Sequence, residues 1–84
     1  MNNKILVSVL IPNLNRTFEI FIPVNEYVYN VTKLICDDIN NVLGSAYIDK
    51  NKKSIMNKKT LNIYKKNLII RDTDIKNSTE LVLL

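Results

Sequence analysis

The fold is decided by the stretch Asn67-Leu68-Ile69-Ile70-Arg71-Asp72-Thr73-Asp74-Ile75-Lys76-Asn77-Ser78-Thr79-Glu80-Leu81-Val82-Leu83-Leu84. It begins with a short apolar run, continues through polar turns around an apolar Ile75, and ends in an apolar strand. An apolar strand on its own can neither satisfy its backbone groups nor shield its side chains from water. The rest of the chain must therefore supply a neighbour on each side of this closing strand.

The composition describes one small domain that spans residues 1–84. Apolar residues make up 46% of the chain, which is enough for a compact core and too many for a disordered protein. The single Cys36 excludes an intramolecular disulfide, and with no signal peptide at the start of the sequence it fits a reducing compartment. No apolar run approaches the ~20 residues that cross a membrane. We therefore expect a cytoplasmic protein without direct membrane insertion.

The first half of the chain predicts a β-hairpin followed by an amphipathic helix. Residues 4–12 and 17–23 alternate like strands, and the short turn between them favours antiparallel pairing. After a connector, apolar residues recur at helical spacing, which predicts a helix of about four turns that starts near Tyr27. Gly44 stands where a C-cap glycine ends such a helix.

The second half predicts a loop and then three shorter strands. Residues 45–59 are polar and rich in lysine, which predicts a long loop. A third strand at residues 60–66, with Leu61 and Ile63 inward, is followed by strands at residues 68–70 and 81–84. One helix packed on one face of such a sheet makes an α+β fold whose other face is open.

This order of elements resembles the ubiquitin-like β-grasp fold. The ending Asp74-Ile75-Lys76-Asn77-Ser78-Thr79-Glu80-Leu81-Val82-Leu83 is similar to the isoleucine, turn and closing strand with which members of that family finish. The segment Thr17-Phe18-Glu19-Ile20-Phe21-Ile22-Pro23, followed by a helix that contains Val31 and Ile35, is similar to their early part. Within this fold the chain most resembles the small bacterial YukD/EsaB-type proteins. These are stand-alone ubiquitin-like domains associated with type VII secretion.

The resemblance implies a four- to five-stranded mixed sheet with strand order 2-1-5-3-4, packed on one amphipathic helix, with the first and last strands parallel and central. It also implies a cytoplasmic accessory of a bacterial type VII secretion system that acts through protein–protein contact. Conjugated ubiquitin-like proteins and sulfur carriers end in a flexible Gly-Gly tail. This sequence has no glycine after Gly44 and ends at Leu84. We therefore expect neither conjugation nor sulfur transfer.

The sequence carries no set of residues that indicates a reaction. It has no histidine, the commonest general base and a frequent zinc ligand. Cys36 adjoins Asp37 and Asp38, whose carboxylates disfavour a thiolate, so a packing role explains it better than reactivity. Asp72 and Asp74 fit turns in which they accept backbone N–H groups. We expect no enzyme activity, no metal site and no cofactor.

The positive charge is concentrated in one segment. Residues 45–66 hold seven lysines and one aspartate, a local net charge of +6 in a chain of net charge +4. The predicted basic patch consists of Lys50, Lys52, Lys53, Lys58 and Lys59. These lysines can hold phosphates while Tyr47 and Tyr64 stack on bases, which gives the alternative function of a small nucleic-acid-binding module. The absence of arginine from the patch and the acidic polar side of the helix disfavour nucleic acid. A solvated loop, or binding of an acidic protein surface, fits better.

The sheet face away from the helix is expected to carry apolar side chains that no second layer covers. The residues expected there are Leu6, Leu10, Phe21, Val82 and Leu84. Such a face indicates binding of another protein or of a second copy in a homodimer. The alternative is that the lysine-rich loop folds over the face with Ile48, Ile55 and Met56. We therefore predict a non-catalytic ubiquitin-like protein-interaction module.

Overall fold

The computed structural model describes residues 3–45 and 47–84 of the chain. Within these residues it has four strands, one α-helix and two short 3-10 helices. The strands and the α-helix are β1 (Lys4–Ile11), β2 (Arg16–Pro23), α1 (Val28–Leu43), β3 (Ile55–Asn57) and β4 (Glu80–Leu83), and the 3-10 helices are Pro12–Leu14 and Ile70–Asp72. The hairpin and the helix lie within one residue of their predicted bounds.

The described strands form a mixed sheet in the order β2-β1-β4-β3. β1 pairs antiparallel with β2 and parallel with β4, and β3 pairs antiparallel with β4. The first and last strands are therefore central and parallel, as expected. The predicted α+β fold, with one helix on one face of a mixed sheet, is confirmed in the described part of the chain. Its four strands lie within the predicted four to five, and the predicted order 2-1-5-3-4 is shortened by one strand beyond the central pair.

Helix α1 packs its apolar side against one face of the sheet. Val31, Ile35 and Ile39 follow one another at intervals of four residues and are fully buried. They share one core with helix-side residues of the sheet, which include Val7, Val9, Ile20, Ile22 and Leu81. Gly44 ends the helix in the left-handed conformation, at φ 75°, and its N–H donates to the carbonyl of Asn40 at 2.9 Å.

Strand β3 lies inside the segment that the sequence predicts as a loop. Residues 55–57 pair with residues 81–83, so the predicted loop at 45–59 is partly sheet. The predicted strand at residues 60–66 is wrong, because that segment turns back and contributes an isolated bridge from Ile63 to Met56. The second neighbour of β4 is therefore β3 at residues 55–57, which lies earlier in the chain than the predicted strand at residues 60–66.

The same shift reverses which side chains of this segment are buried. Leu61 is 65% exposed and Ile63 is 53% exposed, contrary to their predicted inward positions, whereas Tyr64 is 4% exposed. Leu61 adopts φ 63°, a left-handed conformation, within the turn that follows β3. A shift of one residue in a strand-like segment moves every side chain to the opposite side.

The predicted strand at residues 68–70 is also replaced. Ile69 forms an isolated bridge to the connector before α1, and Ile70–Asp72 is a 3-10 helix. The N–H of Ile70 donates to the carbonyl of Glu26 at 2.9 Å. This segment is therefore attached to the start of the helix, and among the described residues β3 is the last strand on its side of the sheet.

Candidate functional site on the open sheet face

The strand register sorts the side chains of the open face into rows. Leu6 lies opposite Phe21 at one end of the face. The next row places Ser8 between Glu19 and Glu80 and is polar. Phe21 is 59% exposed and Leu6 is half-buried, so this pair forms a small apolar group of its own.

The following row is apolar from β1 to the segment beyond β3. Leu10 lies opposite Val82, and Val82 lies opposite Met56. Met56 forms a bridge with Ile63, and Leu84 follows Val82 on the same side of the chain. We call these five residues the outer patch. The predicted surface residues are therefore divided, with Leu10, Val82 and Leu84 together and the other two beyond the polar row.

Val82, predicted at the surface, is buried in the structure and is only 6% exposed. It lies on a central strand, between Leu10 on one side and Met56 on the other, and these neighbours shield it from water. It is not part of the core cluster under the helix, so it still belongs to the open face. Leu84, at the end of the same strand, is 42% exposed. The outer patch therefore has a shielded centre and exposed margins.

Met56 and Ile63 are the members of the outer patch that the sequence does not predict. The sequence pattern assigns Met56 to a loop and Ile63 to the inner side of a strand. The one local signal for β3 is the apolar pair Ile55-Met56 within a lysine-rich segment. A pair is too short to show the alternation that identifies a strand.

The lysine-rich segment does not cover the open face as the alternative requires. Ile48 and Ile55 are buried in the core under the helix. Asn40 on α1 fixes Ile48, because its side chain donates to the Ile48 carbonyl and accepts the Ile48 N–H, both at 3.0 Å. Met56 faces outward and extends the apolar row. The covering interpretation is therefore wrong for Ile48 and Ile55.

A cavity of about 440 Å³ opens beside the outer patch at Leu84. Its walls come from the turn between β1 and β2, from residues 47 and 48, and from the end of β4. Leu14, Tyr47 and Leu83 supply apolar wall, and Lys53 adds a positive charge. A concave apolar site of this kind suits an anchoring side chain of a partner protein.

The turn after β3 is fixed at the margin of the outer patch. The side-chain oxygen of Asn57 accepts the N–H groups of Lys59 and Thr60 at 2.9 and 3.1 Å. The ammonium of Lys58 lies 3.5 Å from the Glu80 carboxylate, and its backbone N–H donates to the Glu80 carbonyl at 2.9 Å. The backbone of Lys58 and Lys59 is therefore fixed, and the Lys58 ammonium lies beside Glu80 of the polar row.

The predicted basic patch is divided between different parts of the surface. Lys50 forms an ion pair with a carboxylate of α1 at 3.5 Å, and Lys52 forms one with its neighbour in the loop at 4.0 Å. Lys53 lines the cavity. Lys58 pairs with Glu80, and Lys59 lines a further cavity together with Lys76. The five side chains therefore do not face one common ligand.

Tyr64, predicted to stack on bases, is part of the interior. Its hydroxyl donates to the Asp74 carboxylate at 2.5 Å and accepts the side-chain N–H of Asn57 at 3.1 Å. Burial, followed by the hydrogen bond to Asp74, raises the pKa of Tyr64 to about 12. Tyr47, the other predicted stacking group, is exposed. The nucleic-acid interpretation therefore loses one of its two aromatic contacts.

Cys36 is a packed core residue. It is fully buried, and burial raises the pKa of its thiol to about 11, so the thiol is protonated at neutral pH. Residues 3–45 and 47–84 contain no group of three or more acidic or cysteine side chains placed to hold a metal ion. The helix of this described part is too short and too polar to cross a membrane.

Comparisons with known proteins agree with this architecture. No family model and no curated protein matches the sequence. One matching solved structure is an N-terminal ubiquitin-like domain studied in solution, with 18% identity and a TM-score of 0.73 over 100% of this chain and 76% of that chain. A ubiquitin-like domain from Arabidopsis thaliana matches with 17% identity and a TM-score of 0.70, over 99% of this chain and 78% of that chain. The chain has the ubiquitin-like β-grasp fold.

A chain of the ESX-5 inner membrane complex also contains a segment of this fold. The match has 12% identity and a TM-score of 0.78, and it covers 99% of this chain but 21% of the other. Identities this low show a shared fold and leave the function to be argued from the surface.

Proposed function

We propose that this protein is a non-catalytic ubiquitin-like module that binds another protein through the outer patch. The observation that carries the proposal is the continuous apolar row that runs from Leu10 to Ile63 across the sheet. Contiguous apolar surface on a small protein commonly marks a contact site for a partner. Burial of about 400 Å² of such surface gives roughly 10 kcal/mol before the costs of association.

The partner that fits this surface has an apolar anchor and carboxylates around it. The cavity beside Leu84 can receive an apolar side chain at one margin of the outer patch. Lys53 in the cavity wall supplies positive charge beside this anchoring position, and the lysines of the turn after β3, Lys58 and Lys59, follow the apolar row in the chain. Complementary charges at the margin of an interface accelerate association and fix its orientation.

We assign this module to the cytoplasm, as an accessory of a bacterial type VII secretion system. The resemblance of its early and closing segments to YukD/EsaB-type proteins supports the assignment, because those proteins are associated with that system. The likeness to part of a chain in the ESX-5 inner membrane complex supports it as well. An accessory that acts by contact needs a docking surface, and the outer patch supplies one.

Charged substitutions in the outer patch test the proposal. Ile63→Asp and Leu84→Asp place carboxylates on its exposed members. Tyr29→Asp is the matched control, because Tyr29 on α1 is exposed on the other side of the sheet. Each protein is immobilised, and the proteins that it captures from a cytoplasmic extract of the source organism are compared by mass spectrometry. We expect a component bound by the wild type and by Tyr29→Asp to be lost with both patch variants.

Equal capture by all four proteins would overturn this proposal. The nucleic-acid alternative has a different signature in the same experiment. If the alternative is right, the captured molecule is nucleic acid and binds Ile63→Asp as well as the wild type. The bound amount then falls steeply as the salt concentration rises.

A further inference from the structure

The hydrogen bonds of β1 determine which groups of β2 are free. On β1, the N–H of Ser8 donates to the Thr79 carbonyl at 3.1 Å, and the Leu6 carbonyl accepts the Ser78 N–H at 2.7 Å. The even-numbered residues of β1 therefore bond toward β4. Neighbouring residues in a strand direct their backbone groups to opposite sides, so the odd-numbered residues of β1 bond to β2. In the observed register, these odd-numbered residues of β1 pair with the even-numbered residues of β2.

The odd-numbered residues of β2 consequently direct their backbone groups away from the sheet. In the part of the chain that the structure describes, no strand lies on that side of β2. Thr17, Glu19 and Phe21 thus present N–H and C=O groups along an edge strand of eight residues. Such a row is a template for an added strand.

We propose that β2 of a second copy of this chain pairs antiparallel with β2 along this edge. A two-fold axis passes through Ile20 and joins the two sheets into one. Glu19 of each copy lies opposite Phe21 of the other, and each such pair exchanges both of its backbone hydrogen bonds. The N–H of Thr17 in one copy donates to the carbonyl of Pro23 in the other copy. Pro23 has no N–H, and its position at the end of the ladder means that no hydrogen bond in the middle is lost.

Other registers of this pairing are less favourable. An axis through Glu19 sets two carboxylates opposite each other, which is destabilising. An axis through Phe21 sets Glu19 opposite Pro23, which has no N–H to donate in the middle of the ladder. A shift by one residue sets core side chains against surface side chains. The edge is therefore self-complementary about Ile20.

The side chains on the helix side of β2 also fit this pairing. Ile20 meets its counterpart at the axis, and Phe18 lies opposite Ile22 of the other copy, so the apolar layer continues across the axis. A cavity of about 500 Å³ lies along the same edge between β2 and α1, lined in part by Phe18, Ile20 and Val42. Val42 is 65% exposed in the single chain. A second copy at this edge covers apolar surface that the monomer leaves in water.

The pairing leaves the far end of the sheet uncovered, because β2 and β3 are the two outer strands of the described sheet. Both outer patches then lie on one face of the joined sheet. A partner with two binding sites would gain avidity from this arrangement. That consequence rests on the proposed function, whereas the pairing itself does not.

Sedimentation velocity tests the pairing with the purified chain. A concentration series from about 10 µM to about 1 mM covers the weak association expected of interfaces below ~1,200 Å². We expect the average mass to rise from 9.7 kDa toward twice that value. Glu19→Pro removes an outward N–H that the single chain does not use, so we expect a folded monomer throughout. Glu19→Ala keeps that N–H and should retain the dimer.

A charge pair at position 21 tests the register without a proline. Phe21→Lys sets an ammonium opposite Glu19 of the other copy, whereas Phe21→Glu sets a carboxylate there. Two such pairs form in each dimer, so the dissociation constant of Phe21→Glu should exceed that of Phe21→Lys by roughly 2- to 30-fold.

A wild type that stays monomeric over the whole series would overturn the pairing, as would equal dimerisation of both Phe21 variants. A dimer that survives Glu19→Pro and is lost in Ile63→Asp would place self-association on the outer patch instead. Loss of partner capture in Ile63→Asp, with the dimer retained, would leave the two proposals standing separately.

Discussion

Replacing Tyr64 by phenylalanine removes one hydroxyl from the contact that ties β3 to the segment before β4. In the wild type this hydroxyl donates to Asp74 at 2.5 Å and accepts from Asn57 at 3.1 Å. The side chain is 4% exposed, and phenylalanine keeps the same ring in the same position. Tyr64→Phe therefore separates the hydrogen bonds from the packing.

The expected loss of stability in Tyr64→Phe is about 2 kcal/mol. A hydrogen bond to a charged carboxylate contributes ~1.5–3 kcal/mol, and a neutral one contributes ~0.5–1.5 kcal/mol. Asp74 is exposed and regains water, which reduces the loss, whereas the half-buried amide of Asn57 loses its acceptor. In a domain of this size, such a loss lowers the melting temperature by about 8–16 °C.

Urea unfolding at pH 7, followed by circular dichroism, measures this difference. The two proteins should unfold with the same slope and different midpoints, since the buried surface is unchanged. A difference smaller than about 0.5 kcal/mol, within the range of ordinary surface substitutions, would refute the reasoning.

The same contact predicts a dependence on alkaline pH. The pKa of Tyr64 rises from its ordinary 10.0 to about 12 in the folded protein, so the unfolded chain releases this proton first. The stability that the hydroxyl contributes is fully present below pH 10 and is lost as the pH rises toward about 12. The advantage of the wild type over Tyr64→Phe should shrink across this interval.

Other features give predictions of the same kind. Leu61→Asn should raise the free energy of unfolding by about 1 kcal/mol, because asparagine tolerates the left-handed φ of 63° better than leucine; an unchanged urea midpoint would contradict this. Asn40→Ala should lower it by about 1–3 kcal/mol, since both hydrogen bonds to Ile48 are lost; slow amide exchange at Ile48 in the variant would argue against the expected loosening. A thiol reagent at pH 7 should leave Cys36 unmodified until the chain unfolds, because the thiol is buried with its pKa raised to about 11; labelling at the rate of an exposed cysteine would disprove it. Duplex DNA binding should show a logarithmic salt slope no steeper than about −2, since the basic patch is divided; a slope near about −4.5 would indicate five phosphate contacts and favour the nucleic-acid alternative.

Local sequence patterns determine the hairpin and the helix, which is why both could be predicted. The alternation in β1 and β2 and the helical spacing in α1 each act over many residues. Gly44 marks the end of the helix through its own conformational preference. The central position of β4 follows from an apolar strand that needs neighbours on both sides. This prediction is confirmed because that requirement does not depend on the details of the loops.

The register of β3 could not be predicted, because nothing local determines it. β3 has three residues, and its apolar pair lies among lysines and asparagines. The left-handed conformation of Leu61 reverses the chain at a residue type that rarely adopts it. The existence of an open face follows from one helix covering one side of a sheet. The side chains on that open face depend on β3. The sequence therefore does not predict that Met56 and Ile63 lie there, or that Val82 is shielded.

The affinity of the purified captured partner for three forms of the protein, measured by titration calorimetry, tests the role of the outer patch most directly. Ile63→Asp should weaken binding by about 30-fold or more, the loss of ≥ 2 kcal/mol that marks a hot-spot residue, while Tyr29→Asp should match the wild type. The same dissociation constant for all three forms would contradict the account.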